Sequence, residues 1–184
     1  MSNIKERLDK AKEKFADKSF QQNKGLGNEV GIHIFAYNPE DEMVVRHFIK
    51  SLDKETAFHA IRFDLYQILL DYLLEREIFD EIEEYEKDCG KDKCETLIKN
   101  MVSPEVYVEK MKYNSHKTGD ILIISGIGKV YPFTRVHTLL ENVATEFKDI
   151  PIVVFYPGSY DQKSLRLFNR FFDDNHYRSF ILIK

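Results

Sequence analysis

The chain has 184 residues, of which 43% are apolar, 32% charged and 13% aromatic, with no Trp and a formal charge of −4. A chain of this length buries about 70% of its unfolded surface on folding. That excludes a disordered tail, a collagen-like fibre and a mini-protein that needs covalent staples, and the acidic balance excludes a wholly basic nucleic-acid binder.

The N-terminal segment is charged rather than apolar, so no secretory signal is expected there. No apolar run approaches the roughly 20 residues of a membrane span. The expected location is the cytosol, without membrane contact. Residues 1–24 read as an amphipathic helix and a linker. Ile4, Leu8, Ala11 and Phe15 recur at helical steps. That stripe is short, so the helix is expected to pack loosely or against a partner. Residues 23–28, rich in Gly and Asn, read as a loop. A first strand is expected over Val30–Tyr37. Asn38-Pro39 then opens a helix that places Met43, Val44, Phe48, Ile49 and Leu52 inward.

Thr56–Phe63 alternates well enough for a second strand, and Asp64 with Gln67 has capping-box spacing at the start of a helix over Leu65–Leu74. Residues 71–118 form an acidic helical insertion. Nine acids face two bases between Asp71 and Asp88, so this stretch is a solvated face or a docking surface for a basic partner. Helix is expected again over 93–115, broken at Ser103-Pro104. Asp120–Ser125 is a continuous apolar run between glycines, the pattern of a strand buried on both faces of a parallel sheet. A loop over Ile127–Pro132, a helix over Phe133–Phe147 and a second buried strand over Pro151–Tyr156 follow, the strand closed by Pro157-Gly158. Leu165–Phe172 reads as a short aromatic helix and Tyr177–Ile183 as the last strand.

This alternation predicts a single α/β domain over 1–184. It is a three-layer sandwich around a mostly parallel five-stranded sheet, in a P-loop-NTPase-like or Rossmann-like order. The chemistry of a P-loop is missing. Strand one ends in Tyr37-Asn38-Pro39-Glu40-Asp41-Glu42, with no glycine and with acids where phosphates would bind. Gly126-Ile127-Gly128-Lys129 is too short for that motif. It is either a tight turn or an anion contact at a helix N-terminus. Tyr131 and Pro132 extend the same loop, and Arg135 and His137 complete the best polar cluster in the chain. Those two residues either act structurally, capping loop carbonyls or pairing with Asp120, or face the carboxyl edge of the sheet, where α/β folds bind ligands.

Asp161-Gln162-Lys163 resembles a nuclease triplet but falls in a loop. Ser125 and Ser159 lack a nucleophile elbow. The six His residues show no metal-binding spacing, and Cys89 and Cys94 are expected to be reduced thiols. No catalytic residue, metal or cofactor is expected. Two functional classes remain. One is an interaction module using the Gly126–His137 loop and an aromatic and basic patch of Tyr156, Phe168, Phe172, Tyr177 and Arg178, with Phe171 beside it. The other is a nucleotide- or nucleic-acid-binding domain using the Gly126–His137 loop and helix.

The string Gly126-Ile127-Gly128-Lys129-Val130-Tyr131-Pro132-Phe133-Thr134-Arg135-Val136-His137-Thr138-Leu139-Leu140 resembles the BrxB family of bacteriophage-exclusion (BREX) systems. Pro151–Gly158, Leu165–Phe168 and the ending Asn175–Leu182 are similar to it as well. His176 and Ser179 depart from the family's terminal pattern. The resemblance implies a small, non-enzymatic core component of an anti-phage system. It would join other BREX proteins, a PglZ-type protein in particular, and then the large ATPase and the methyltransferase, meeting DNA only indirectly. It carries over no catalytic residue.

Overall fold

The structure, a computed structural model, describes residues 3–23, 31–114, 116–117, 119–173 and 179–183. Most of the predicted 23–28 loop, Val30 of the predicted first strand, and Tyr177 and Arg178 of the predicted patch lie outside the described residues.

Five parallel strands form the centre. β1 (Ile32–Tyr37), β2 (His59–Asp64), β3 (Asp120–Ser125), β4 (Ile152–Tyr160) and β7 (Phe180–Ile181) lie in the order β2-β3-β4-β1-β7. β1 therefore sits inside the sheet between β4 and β7, unlike the 3-2-1-4-5-6 order of a dinucleotide-binding Rossmann sheet. The sheet is larger than five strands. β5 (Leu165–Leu167) pairs antiparallel with the far end of β4, and β6 (Phe171–Asp173) pairs antiparallel with β5. The expected aromatic helix over Leu165–Phe172 is thus a hairpin. Phe168 and Asn169 adopt φ of 53° and 58°, and the Arg170 amide donates to Leu167 O at 3.0 Å. Two consecutive positive φ values are the signature of the primed turn that matches strand twist, and no helix contains them.

The expected stop at Pro157-Gly158 is also corrected. β3 pairs with β4 only as far as Val154, and Pro157 lies opposite Tyr37 of β1. The missing proline N–H costs least where a strand is losing a neighbour. Gly158, at φ 154°, admits the Arg166 carbonyl, which would lie 2.0 Å from an added Cβ.

Alternate residues of β1, β3 and β4 feed two cores. Leu122, Ile124, Ile152 and Val154 face α4 (Leu65–Glu75), α6 (Lys91–Met101), α7 (Pro104–Met111) and α9 (Val136–Glu146). Ile121, Ile123, Val153 and Phe155 face α1 (Ile4–Ala16) and α3 (Glu42–Ser51). α2 (Lys18–Gln21) follows α1 after a break at Asp17, and α5 (Ile82–Cys89) precedes α6. The acidic region is accordingly helical, as its composition anticipates.

α1 is not loosely packed. Leu8, Ala11 and Phe15 are buried, the Arg7 guanidinium lies 4.6 Å over the Phe35 ring and donates to Ala36 O at 2.8 Å, and Lys14 Nζ donates to Leu182 O at 3.0 Å. The short stripe suffices because long basic side chains extend the contact beyond it. In α3 the buried positions are Val45 and Ile49, with Leu52 buried just past its end, whereas Met43 and Val44 point to solvent. The inward stripe through Val45 and Ile49 is therefore narrower than expected.

His33 is 5% exposed, flanked by the Phe20 and Phe180 rings, with its Nδ1 unpartnered among the described residues. Burial, aided by the Lys14 charge, pushes its pKa down to about 4. The unfolded chain therefore binds a proton that the folded chain rejects. The stability that this neutral ring permits is complete above pH 6.5 and is lost as pH falls toward 4.

Between pH 7.5 and pH 5 the His33 contribution to unfolding free energy should fall by about 2 kcal/mol. His33→Phe should remove that part of the acid sensitivity in urea titrations at the two pH values. Phe15→Ala should cost about 3–5 kcal/mol at neutral pH, because the ring is wholly enclosed. A loss below 1 kcal/mol in the same urea experiment would return α1 to the status of a loose appendage.

Candidate functional site

The carboxyl ends of the parallel strands bring Tyr37, Asp64, Ser125 and Pro157 to one edge. Asp64 leaves β2 and caps α4, accepting from the Tyr66 amide at 2.9 Å and the Gln67 amide at 3.4 Å. Opposite it, Gly126 turns the chain out of β3 into α8 (Ile127–Val130) with φ 80°. A Cβ on Gly126 would lie 2.2 Å from Asp64 Oδ1. Lys129 Nζ then reaches back to Asp64 Oδ2 at 2.7 Å and lies 5.2 Å over the Tyr66 ring. A lysine held by a carboxylate and a ring face is already neutralised, so it offers an incoming phosphate little. The expected loop is in this respect a folded knot.

Gly128 has a different role. A Cβ there would meet the Phe168 ring at 2.7 Å, so the glycine makes room for the hairpin turn. A small cavity of about 200 Å³ separates this turn from the end of β1, with Glu42 and Arg46 on its far wall. Tyr37 donates from its hydroxyl to Glu42 Oε2 at 2.5 Å, and burial together with that bond raises the Tyr37 pKa far above its ordinary value.

On the other side of α8 the hairpin folds over the end of β4. Tyr131 (39% exposed), Phe171 (42%) and Phe172 (55%) form an aromatic cluster open to solvent. The Tyr131 and Phe171 ring centroids are 4.8 Å apart, Phe168 meets Phe171 edge-on at 6.5 Å, and the Arg166 guanidinium lies 5.1 Å over Phe172. Ile127, Arg135, Val136, Tyr156 and Leu167 complete the walls of a shallow hollow of about 200 Å³ beneath the rings. Rings beside guanidinium groups are the composition of protein–protein hot spots. The same hollow is below the usual 300–1,000 Å³ of a small-molecule site.

The structure thus brings Tyr131, Arg135, Tyr156, Phe168 and Phe172 together, joining the predicted loop to the predicted patch. Tyr156, however, is buried at 2% and forms the floor of the hollow, because its β4 register points it into the core with Ile152 and Val154. Phe168 is half-buried against Gly128. Pro132, which follows a cis peptide bond, lies in the turn between α8 and α9, and Arg135 is the N-cap residue of α9. His137 is half-buried in the first turn of that helix.

The expected pairing of Arg135 or His137 with Asp120 does not occur. Asp120 opens β3 at the opposite edge of the sheet, roughly 17 Å away along a six-residue strand. There it accepts from His59 Nδ1 at 2.8 Å, the Lys117 amide at 2.9 Å and the Tyr113 hydroxyl at 3.1 Å. Burial alone would raise its carboxyl pKa; these donors outweigh burial and hold it low. Asp161 accepts from the Lys163 and Ser164 amides and so closes a turn. Among the described residues no group of three or more His, Cys, Asp or Glu side chains is placed to hold a metal ion, and no helix is long and apolar enough to cross a membrane.

Sequence reasoning missed Asp64 as the partner of Lys129 and Arg166 as part of the cluster. The alternation Leu165-Arg166-Leu167 carried the signal for Arg166, since period two places the arginine outward. The pairing of Asp64 with Lys129 had no signal, because it depends on the β2–β3 register.

A family profile described as "BREX protein BrxB" matches residues 61–182, a span that holds α8, the hairpin and β7. A BREX protein BrxB of Bacillus cereus (strain H3081.97) is 37% identical over 190 aligned positions, covering 100% of this chain and 99% of the relative. A second, from Escherichia coli O9:H4 (strain HS), is 29% identical over 185 positions, covering 96% and 90%. No solved structure matches the chain.

Gly126→Ala should cost about 2–3 kcal/mol, combining left-handed strain with displacement of the Asp64 carboxylate. The penalty should shrink in an Asp64→Ala background, read as coupling in a double-mutant cycle of thermal melts. Lys129→Met should cost less than about 1 kcal/mol, because the ion pair is about one-third exposed on each side.

Proposed function

This chain belongs to the BrxB family of BREX proteins, and we propose that it is a non-enzymatic adaptor of a BREX phage-defence system. In this reading it binds other components of that system, a PglZ-type protein first among them. The aromatic cluster of Tyr131, Phe171 and Phe172, with Arg135 and Arg166 at its rim, is the docking surface. One observation carries the reading. Three large rings stand exposed where the α8–α9 turn meets the outer strand of the hairpin, Tyr131 against Phe171 with Phe172 beside them.

Engagement of Lys129 by Asp64 supports an interaction surface over a phosphate site at the same loop. The large ATPase and the methyltransferase are further partners in this reading, and DNA is met only through them. The cytosol is the compartment in which those proteins and phage DNA meet.

Replacing Phe171 and Phe172 together by Ser should weaken binding to the cognate PglZ-type protein at least tenfold, or about 1.4 kcal/mol. Isothermal titration calorimetry reads the affinity, and a melting temperature within a few degrees of the parent confirms folding. Undiminished affinity in a folded double variant would remove the cluster from the interface.

A further inference from the structure

β2 ends the sheet, with β3 as its only strand neighbour among the described residues. The His59 amide donates to Gly119 O at 3.0 Å, which sets the phase of the parallel ladder. Backbone groups of His59, Ile61 and Phe63 face β3. Those of Ala60 and Arg62 turn outward, where no strand meets them. α3 and α4 lie on opposite faces of the sheet, each running back from its carboxyl edge. Between them, beside the carboxyl half of β2 at Arg62, Phe63 and Asp64, lies a cleft of about 700 Å³.

The two walls of the cleft differ in charge. α3 contributes Arg46, His47 and Lys50, of which Arg46 pairs with Glu42. α4 contributes Asp71 and Glu75, and Glu75 pairs with Lys110 of α7 on the same wall, so Asp71 is the acid left to an incoming chain there. His47 and Lys50 are exposed and make no ion pair among the described residues. Asp71 accepts from Gln67 Nε2 at 2.8 Å. On the floor, Arg62 donates to Ile49 O at 3.3 Å and pairs with Asp53, so its guanidinium lies against the α3 side and leaves the outward amide in place. Charged edges normally repel stray apolar strands. A charged edge flanked by walls of opposite sign also selects among strands.

We propose that the free edge of β2 accepts an extended segment of another protein of the same BREX system by strand addition. The segment carries acidic side chains at every second position, facing α3, and basic or amide side chains at the positions between, facing α4. The reason is geometric. An added strand lies about 4.8 Å from β2 and points successive side chains to opposite faces, so one phase meets each wall. Outward amides and carbonyls along an edge of roughly 20 Å supply the main-chain bonds, and the walls supply specificity. This surface is separate from the aromatic cluster and does not depend on its role.

The test is an array of synthetic 15-residue peptides tiling the other proteins of the cognate BREX system, probed with the full chain. Bound peptides should share the acidic and basic alternation, and binding should weaken as salt rises. Ala60→Pro removes an outward N–H without touching the β2–β3 ladder and should reduce binding at least tenfold. So should the double variant His47→Glu/Lys50→Glu, which changes only exposed positions and decides the matter if Ala60→Pro does not fold. Phe171→Ser/Phe172→Ser should leave peptide binding unchanged. The proposal is overturned by any of three results: no bound peptide, binding indifferent to the charge reversals, or a dimer of this chain that the β2 variants dissolve.

Discussion

Two strands whose apolar runs are shut off from water set the terms for the rest of the molecule. β3 and β4 bury their apolar positions completely from both faces, so each face of the sheet must be roofed by helices. On one face the connections supply that roof, through α4, α7 and α9. On the other face α3 alone comes from a crossover, and α1 provides the remaining cover with Leu8, Ala11 and Phe15. The N-terminal helix is charged because its outer side is solvated, yet the fold cannot spare it. Lys14 also ties the carbonyl of Leu182, so the first helix and the last strand are fastened together across the length of the chain.

The same roofing explains why charge collects at the ends of the strands. Polar groups leaving a buried sheet need partners at once. At the amino edge Asp120 gathers three donors. At the carboxyl edge Asp64 gathers two helix amides and the Lys129 ammonium. Both carboxylates are consumed in holding chain segments together. The hairpin beyond β4 and the outer edge of β2 are left out of this anchoring, and in the proposed reading they are the parts that meet other molecules.

Continuous apolar runs, four residues in β3 and five at the start of β4, made these strands readable, because a strand buried on both faces tolerates such runs. α4, α7 and α9 were readable from capping residues and the 3.6 period. The hairpin was not. Leu165, Leu167, Phe168, Phe171 and Phe172 satisfy a helical stripe as well as two short strands, and three-residue strands are too brief for period two to show. Its decisive feature, positive φ at Phe168 and Asn169, has only a weak cue in the asparagine. Met43 and Val44 were misplaced because both fit a wide helical stripe, whereas the sheet covers the narrower one through Val45 and Ile49. At the candidate site, the loop Gly126–Lys129 and the rings Phe168 and Phe172 were visible as chemistry. That they meet was not, since proximity depends on β4 running past Pro157 and folding back.

Glycines in Gly126-Ile127-Gly128-Lys129 suggest a phosphate cradle when read as a string, yet each is explained by a neighbour. Gly126 yields to the Asp64 carboxylate and Gly128 to the Phe168 ring, with clearances that admit no side chain. α8 is consequently wedged between two surfaces. Ser125 and Lys129 face the charged cleft beside β2, while Ile127 and Tyr131 face the aromatic hollow. A segment packed this tightly on both sides has no alternative position, so it fixes the distance and orientation between the two surfaces. A rigid partition between an aromatic patch and a charged groove is what a part that must hold two partners in register would need. It is also a reason for glycine in this turn that requires no ligand.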